Sequence, residues 1–293
     1  MGNESIRHIK LSGGLGNQLF QYAFGLFLKK SFGGEIAYFQ EPGSLIKHYS
    51  IEDLIGHLHF SDEPQLKVEH YYFKNKLQYR FVRKIYELFP WISQTKMVET
   101  GSKYQDNITS SHHIFDGYWQ SYYYVKPIEH ILRETIHFPE YTTELSCQDE
   151  IIHSESVFIH IRRGDYLSNK NKKLFATQEL EYFKKAAQII QEHLKNPIFF
   201  VFSNDIEWVK NHFDTSKGKY VFVKNEGKYS DLKDFQLMSQ CLHGIISNSS
   251  FSWWAAYLIA NTQKMIIAPK KWYVGSSLNE MTKDLIPPEW RRI

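Results

Sequence analysis

V-F-I-H-I-R-R-G-D-Y, Val157 to Tyr166, begins as an apolar run broken only by a histidine and ends on two arginines, a glycine and an aspartate. A continuous apolar run of this length reads as a strand buried on both faces, and the polar tail marks where it leaves the sheet. The same alternation continues downstream. Helix is expected over Gln178–Leu194, strand over Ile198–Phe202, helix over Ile206–Phe213, strand over Tyr220–Val223, helix over Leu232–Cys241, strand over Gly244–Ser247, helix over Ser252–Ala260 and strand over Met265–Ala268. Strands and helices in strict alternation imply a parallel sheet covered on both faces, so this half is a Rossmann-like α/β domain.

In such a sheet ligands bind beyond the carboxyl ends of the strands. Arg162 to Asp165, Ser203 to Asp205 and Asn248 to Ser250 all fall there. Successive strand residues face opposite ways, so His160 and Arg162 share a face and Ile159 and Ile161 share the other. Arg162 thus stands at the sheet's mouth, where a guanidinium suits bidentate contact with phosphate, and Gly164 lets backbone approach a ligand. The plainer alternative is a loop ion pair between Arg163 and Asp165. Ser249 and Ser250 lie where a strand passes into a helix, and their N–H groups and hydroxyls suit an anion; alternatively one of them is only a helix cap. Trp253, Trp254 and Tyr257 have helical spacing and read as packing. Asp234 sits early in a helix, where a carboxylate either complements the helix dipole or accepts from the N1 and N2 donors of a guanine.

Upstream, Ile6–Ser12 reads as a strand, Gly13–Gly16 as a turn and Asn17–Lys30 as a helix. The turn fails G-x-G-x-x-G, because Leu19 follows Gly14 and Gly16 at the third position, and no G-x-x-x-x-G-K-[ST] loop occurs. A nicotinamide enzyme and a P-loop NTPase are therefore disfavoured. What the turn retains is a set of N–H groups, with the Asn17 and Gln18 amides, able to meet a diphosphate. From Ile36 to His153 the pattern is irregular, apart from a helix expected over Val125–Ile136 and opened by Pro127. Two domains are expected, residues 1–150 and 151–293, with the join near Cys147–Ser156.

Composition narrows the function. The 35 basic and 32 acidic side chains leave a formal charge of +3, far below the excess of a nucleic-acid binder. Aromatic residues at 16% suit sugar stacking and suit a core equally well. Cys147 and Cys241 lack metal-type spacing, and the start of the chain, charged at Glu4 and Arg7, has no apolar run for a signal peptide or an anchor. A cytosolic enzyme is the expectation. His70–Tyr86 carries Lys74, Lys76, Arg80, Arg83 and Lys84 between Phe73, Leu77, Phe81 and Ile85. That pattern is compatible with peripheral contact with an anionic membrane, and the simpler reading is a packed helix with solvated basic side chains. No D-x-D occurs, nor a zinc-helix set, so a nucleotide-sugar enzyme built from these parts would need no metal and no other cofactor.

Taken in order, G-G-L-G-N-Q-L-F-Q-Y-A (Gly13–Ala23), G-Y-W-Q-S (Gly117–Ser121), H-I-R-R-G-D-Y, D-F-Q-L-M-S-Q-C (Asp234–Cys241) and I-I-S-N-S-S-F-S-W-W (Ile245–Trp254) resemble glycosyltransferase family 11. The blocks span most of the chain. The resemblance implies a GT-B architecture, two Rossmann-like lobes with a cleft between them, with residues 1–150 on the acceptor side and residues 151–293 binding GDP-fucose. It implies inverting transfer of L-fucose from GDP-β-L-fucose to the 2-hydroxyl of a galactose-terminated oligosaccharide or lipid-linked glycan. Animal members carry an N-terminal membrane helix, and the missing apolar run makes this sequence look like a bacterial member acting on cytosolic glycan intermediates, as in O-antigen biosynthesis. By the same resemblance Arg162 meets the donor β-phosphate and His160 and Asp234 hold guanine. Arg163, Asn248, Ser249 and Ser250 line the donor site, and Gly14, Gly16, Asn17 and Gln18 close over diphosphate and fucose. Asp165 is the candidate base, or else orients an arginine. A fucosyltransferase of other regiochemistry and a lectin-like glycan binder are the alternatives.

Overall fold

Two wholly parallel sheets organise the chain, one in each half. The computed structural model describes residues 6–39, 51–55, 96–99, 101–139, 145–163, 174–176, 178–227 and 229–293. They form two compact units, Met1–His137 with Met281–Leu285, and Phe138–Glu280 with Ile286–Ile293. The join falls after His137, where the sequence reading set it at 150. Helix Gln148–Ile152 goes with the second unit through Gln148 to Gln240 (3.1 Å) and Glu150 to Lys219 (2.7 Å).

In the first unit strands β1 (Ile6–Lys10), β2 (Glu35–Phe39), β3 (Lys96–Val98) and β4 (Ile114–Asp116) lie in the order β2-β1-β4-β3. Helix α1 (Leu15–Phe32) follows β1 and buries Leu15, Leu19, Phe20, Ala23, Phe24 and Leu28, rows three to four residues apart that make one apolar face. The helix expected over Val125–Ile136 is instead broken into α2 (Tyr122–Val125), a 3₁₀ turn Lys126–Ile128 and α3 (Glu129–Thr135). Pro127 explains the break, since it has no N–H to carry the α-helical ladder past its own position.

In the second unit α4 (Gln148–Ile152) precedes β5 (Glu155–Ile161), followed by α5 (Leu180–Gln191), β6 (Pro197–Ser203), α6 (Ile206–His212), β7 (Lys219–Phe222), α7 (Ser230–Gln240), β8 (His243–Ile245), α8 (Ser250–Leu258), β9 (Ile266–Ala268) and β10 (Arg291–Arg292). All the strands and helices expected after Ser154 are present, displaced by a few residues at their ends. The sheet runs β10-β9-β8-β5-β6-β7. Val157, Ile159 and Ile161 pack against Phe183, Ala187 and Ile190 of α5 on one face of β5, which leaves His160 to the other, as the strand alternation requires. Trp253, Trp254 and Tyr257 are buried, with the rings of Trp253 and Tyr257 stacked at 5.0 Å. Cys147 and Cys241 are free thiols. Among the described residues no helix is long and apolar enough to cross a membrane, and the basic stretch His70–Tyr86 lies outside them.

Candidate functional site

The chain moves from β5 outward to β6 and β7, then returns to lay β8 on the opposite side of β5. That reversal makes a switch point at the carboxyl ends of β5 and β8, the place where open α/β sheets bind ligands. The two strand ends are bonded across it, His160 Nδ1 lying 3.1 Å from Ser247 Oγ. Both residues are buried. Burial first, and the Arg162 charge second, lower the His160 imidazole to about 3, so the ring is neutral near pH 7. A neutral ring suits an uncharged base edge.

Phe251, in the first turn of α8, stands between His160 and α7. Its ring centroid is 5.6 Å from the His160 ring and 5.2 Å from that of Phe235. Asp234, next to Phe235, is partly buried and accepts a hydrogen bond from Asn225 Nδ2 at 2.8 Å. Burial raises its carboxyl to about 7, against the pull of Asn225, and the nearby Asp231 charge adds to the rise. The helix-dipole explanation of this residue fails, because α7 starts at Ser230, the first-turn acid is Asp231 and Asp234 falls a turn further in.

Arg162 is half-buried at the end of β5. Arg163 is engaged sideways. Its Nε donates to Asp205 at 3.1 Å, its backbone N–H to Asn204 at 2.9 Å, and its guanidinium lies 3.2 Å from the centre of the Trp208 ring. Asp205, which follows β6, is therefore a carboxylate partner of Arg163. Asp165 and Gly164 lie outside the described residues. At the end of β8 Asn248 is buried and donates to the Trp272 carbonyl at 2.7 Å. Ser249 holds the N-cap position of α8 in extended backbone, yet its side chain makes no capping bond, so the plain capping alternative does not account for it. Ser250 opens the helix, whose first-turn N–H groups carry its positive end.

In the first unit the reversal lies between β1 and β4. Gly13, at φ 80°, makes the turn into α1 and has no room for a side chain beside Asn17. Gly14 is the N-cap of α1 and a Cβ there would meet nothing within 4 Å, so the protein's own packing does not require glycine at that position. Gly16 is buried in the first turn of α1. Asn17 Oδ1 accepts from Gln120 Nε2 at 2.8 Å. Gln18 is fully buried and uses both ends of its amide on backbone, donating to the Gly13 carbonyl and accepting from the Ile51 N–H, each at 3.0 Å. Gln21 does the same for Ser12 and Gly117.

Ser247, Asn225 and Phe251 escaped the sequence reading. Ser247 and Asn225 both follow strands, so the strand-end rule that singled out Arg162 reaches them too. Phe251 had no signal, because its role depends on two helices meeting.

The Glycosyl transferase family 11 model matches residues 2–293. An alpha-1,2-colitosyltransferase of Escherichia coli is 33% identical over 305 residues, covering 99% of this chain and 99% of that one. Galactoside alpha-(1,2)-fucosyltransferase 1 of Rattus norvegicus is 40% identical over 103 residues, 35% of this chain and 27% of that protein. For an O-antigen biosynthesis relative of Escherichia coli the match likewise spans only 42% of the relative's length. Among solved structures, fucosyltransferase NodZ from Bradyrhizobium superposes with a TM-score of 0.50 at 15% identity, covering 87% of this chain and 93% of that one. That likeness concerns the fold, the two-unit α/β architecture of the GT-B class.

Proposed function

The chain belongs to glycosyltransferase family 11, and on that premise we propose that it transfers L-fucose from GDP-β-L-fucose, with inversion, to the 2-hydroxyl of a terminal galactose. The observation that carries this reading is the His160–Ser247 bond across the chain reversal of the second unit, with Arg162 beside it and Asp234 one helix away. A purine has a neutral ring and a carboxyl to meet its edge. A diphosphate has a guanidinium and the start of a helix.

The reaction is a displacement at the anomeric carbon of fucose. As the bond to the β-phosphate oxygen lengthens, negative charge gathers on departing GDP, and Arg162 with the α8 N–H groups stabilises it more than it does the intact donor. The acceptor oxygen arrives on the opposite face of the sugar and loses its proton. Asp165 is our candidate to take that proton, and a pH–rate profile of Asp165→Asn separates this role from one of orienting an arginine. The charge is handled by side chains and backbone, and we propose that no divalent ion takes part. The linkage is supported by both named relatives, whose names print the 1,2 linkage.

A second reading concerns the donor alone. The match to a colitosyltransferase runs the length of both chains, and colitose is L-fucose without its 3-hydroxyl. The test is one assay: GDP-fucose and GDP-colitose against a panel of β-galactosides in EDTA, with the product linkage read by NMR. Transfer of fucose to O2 is expected. Transfer of colitose alone replaces the donor assignment, a requirement for Mg²⁺ or Mn²⁺ removes the metal-free step, and failure to bind GDP at millimolar concentration favours a lectin-like glycan binder.

A further inference from the structure

The turn Gly117–Ser121, at the carboxyl end of β4, is determined from several sides at once. The buried Glu99 carboxylate accepts the N–H of Tyr118 at 2.6 Å and that of Gln120 at 3.1 Å. Gly117 lies so close to Glu99 that a side chain would collide with it, and the Gly117 carbonyl accepts from Gln21 at 2.7 Å. Trp119 adopts φ 55°, a backbone state costly for a bulky residue, and is fully buried with its ring stacked at 4.1 Å on Phe24. Gln120 reaches Asn17 at the start of α1, and Ser121 accepts the N–H of Tyr123 to start α2.

Backbone held in a costly conformation by so many partners belongs to sites where a side chain must be presented in one way. Here the residue presented is Tyr118. Its backbone is clamped between Gly117 and Trp119, yet it is 43% exposed, and no ring contact is found for it among the described residues. The other exposed tyrosines of this unit differ, Tyr104 and Tyr123 being packed on each other at 6.0 Å. Tyr118 also stands where the first unit's sheet reverses between β1 and β4, on the same edge as the Gly13–Asn17 turn.

We propose that Tyr118 is a stacking platform for a sugar ring of the glycan acceptor. A fixed tyrosine offers a large apolar face with little conformational entropy to lose. A β-galactoside offers the matching surface, since its axial 4-hydroxyl leaves the C–H bonds of C3, C4 and C5 together on one face. The choice of a galactoside rests on the function proposed above.

The test measures acceptor and donor separately in the full chain. Because Tyr118 is exposed and its backbone bonds do not involve the ring, Tyr118→Ala should fold with an unchanged melting temperature. It should raise the acceptor KM about five- to tenfold, as loss of an aromatic stack does, and leave the donor KM within twofold. Tyr118→Phe, which keeps the ring face, should behave as the unsubstituted protein. An unchanged acceptor KM in Tyr118→Ala, or a rise confined to the donor KM, overturns the proposal. Lactose and N-acetyllactosamine are also titrated by saturation-transfer NMR with no donor added, and signals lost in Tyr118→Ala support the platform even where fucose transfer fails. Absence of any galactoside binding to the unsubstituted protein overturns it.

Discussion

If Asp234 accepts the guanine donors, GDP-fucose binding must depend on pH in the range where a free carboxylate would already be fully ionised. In the free protein burial holds this carboxyl at about 7. An acceptor of N1–H and N2–H must be ionised, so binding releases one proton at any pH below that value. At pH 5 only about 1% of the protein carries the carboxylate, and the apparent Kd rises about tenfold per pH unit on the acid side. Between pH 7.5 and 5 the loss amounts to roughly a hundredfold. The diphosphate of GDP-fucose is esterified at both ends and does not titrate in this window, and His160, lowered to about 3, stays neutral throughout. Isothermal titration calorimetry in two buffers of different ionisation enthalpy reads both affinity and proton release. Asp234→Asn should bind more weakly at pH 7.5 and lose the slope. A Kd independent of pH from 5 to 7.5, or a slope that survives in Asp234→Asn, would refute the assignment of this carboxylate to guanine.

Three further outcomes are expected. Arg162→Ala should lower kcat about 10²- to 10³-fold with little change in melting temperature, and Arg162→Lys should recover only part, since an ammonium lacks the fork; stopped turnover assays and calorimetry check both. His160 is held neutral in the fold while an unfolded histidine titrates near 6.5, so the unfolded chain binds the extra proton between about pH 3 and 6.5. Stability should therefore fall as pH drops through that window, and denaturant unfolding of His160→Gln should lack this component. Arg163→Ala removes a partly exposed ion pair and a cation–π contact, which should cost about 1–2 kcal/mol, and Asp205→Asn should cost less because Trp208 remains. A double-mutant cycle by urea unfolding separates the two parts.

Periodicity was sufficient in the second unit because its strands are buried on both faces: Val157–Ile161 is apolar but for His160, Ile198–Phe202 is apolar throughout, and the helices between them carry clear stripes. Strand-end positions followed from topology, which is why Arg162, His160 and Asn248–Ser250 could be named before any coordinate. The first unit resisted. Its strands β3 and β4 have three residues each, β3 begins on Lys96, and β4 ends on Asp116, buried 3.6 Å from Lys10 of β1, so no apolar run announces them. Partner identities were likewise out of reach. On paper Arg163 pairs with its neighbour Asp165, and its bond to the distant Asp205 follows only from the β5–β6 pairing. Asp234 reads as early in its helix because the apolar pattern starts at Leu232, and Ser230 and Asp231 give no hydrophobic signal although they are helical.

The return of Met281–Leu285 to the first unit bears on how the polypeptide is made. Asp284 accepts the N–H of Tyr122 through its carbonyl and that of Tyr104 through its carboxylate, and Met281 fills the space over Gly101. A ribosome releases those five residues only after all of the intervening sequence has emerged. The early-synthesised half must therefore wait, incompletely sealed around its tyrosines, for nearly the whole of translation. A fragment ending at His137 should bind a hydrophobic dye that the whole protein does not, and adding a peptide of residues 281–285 in trans should diminish that signal.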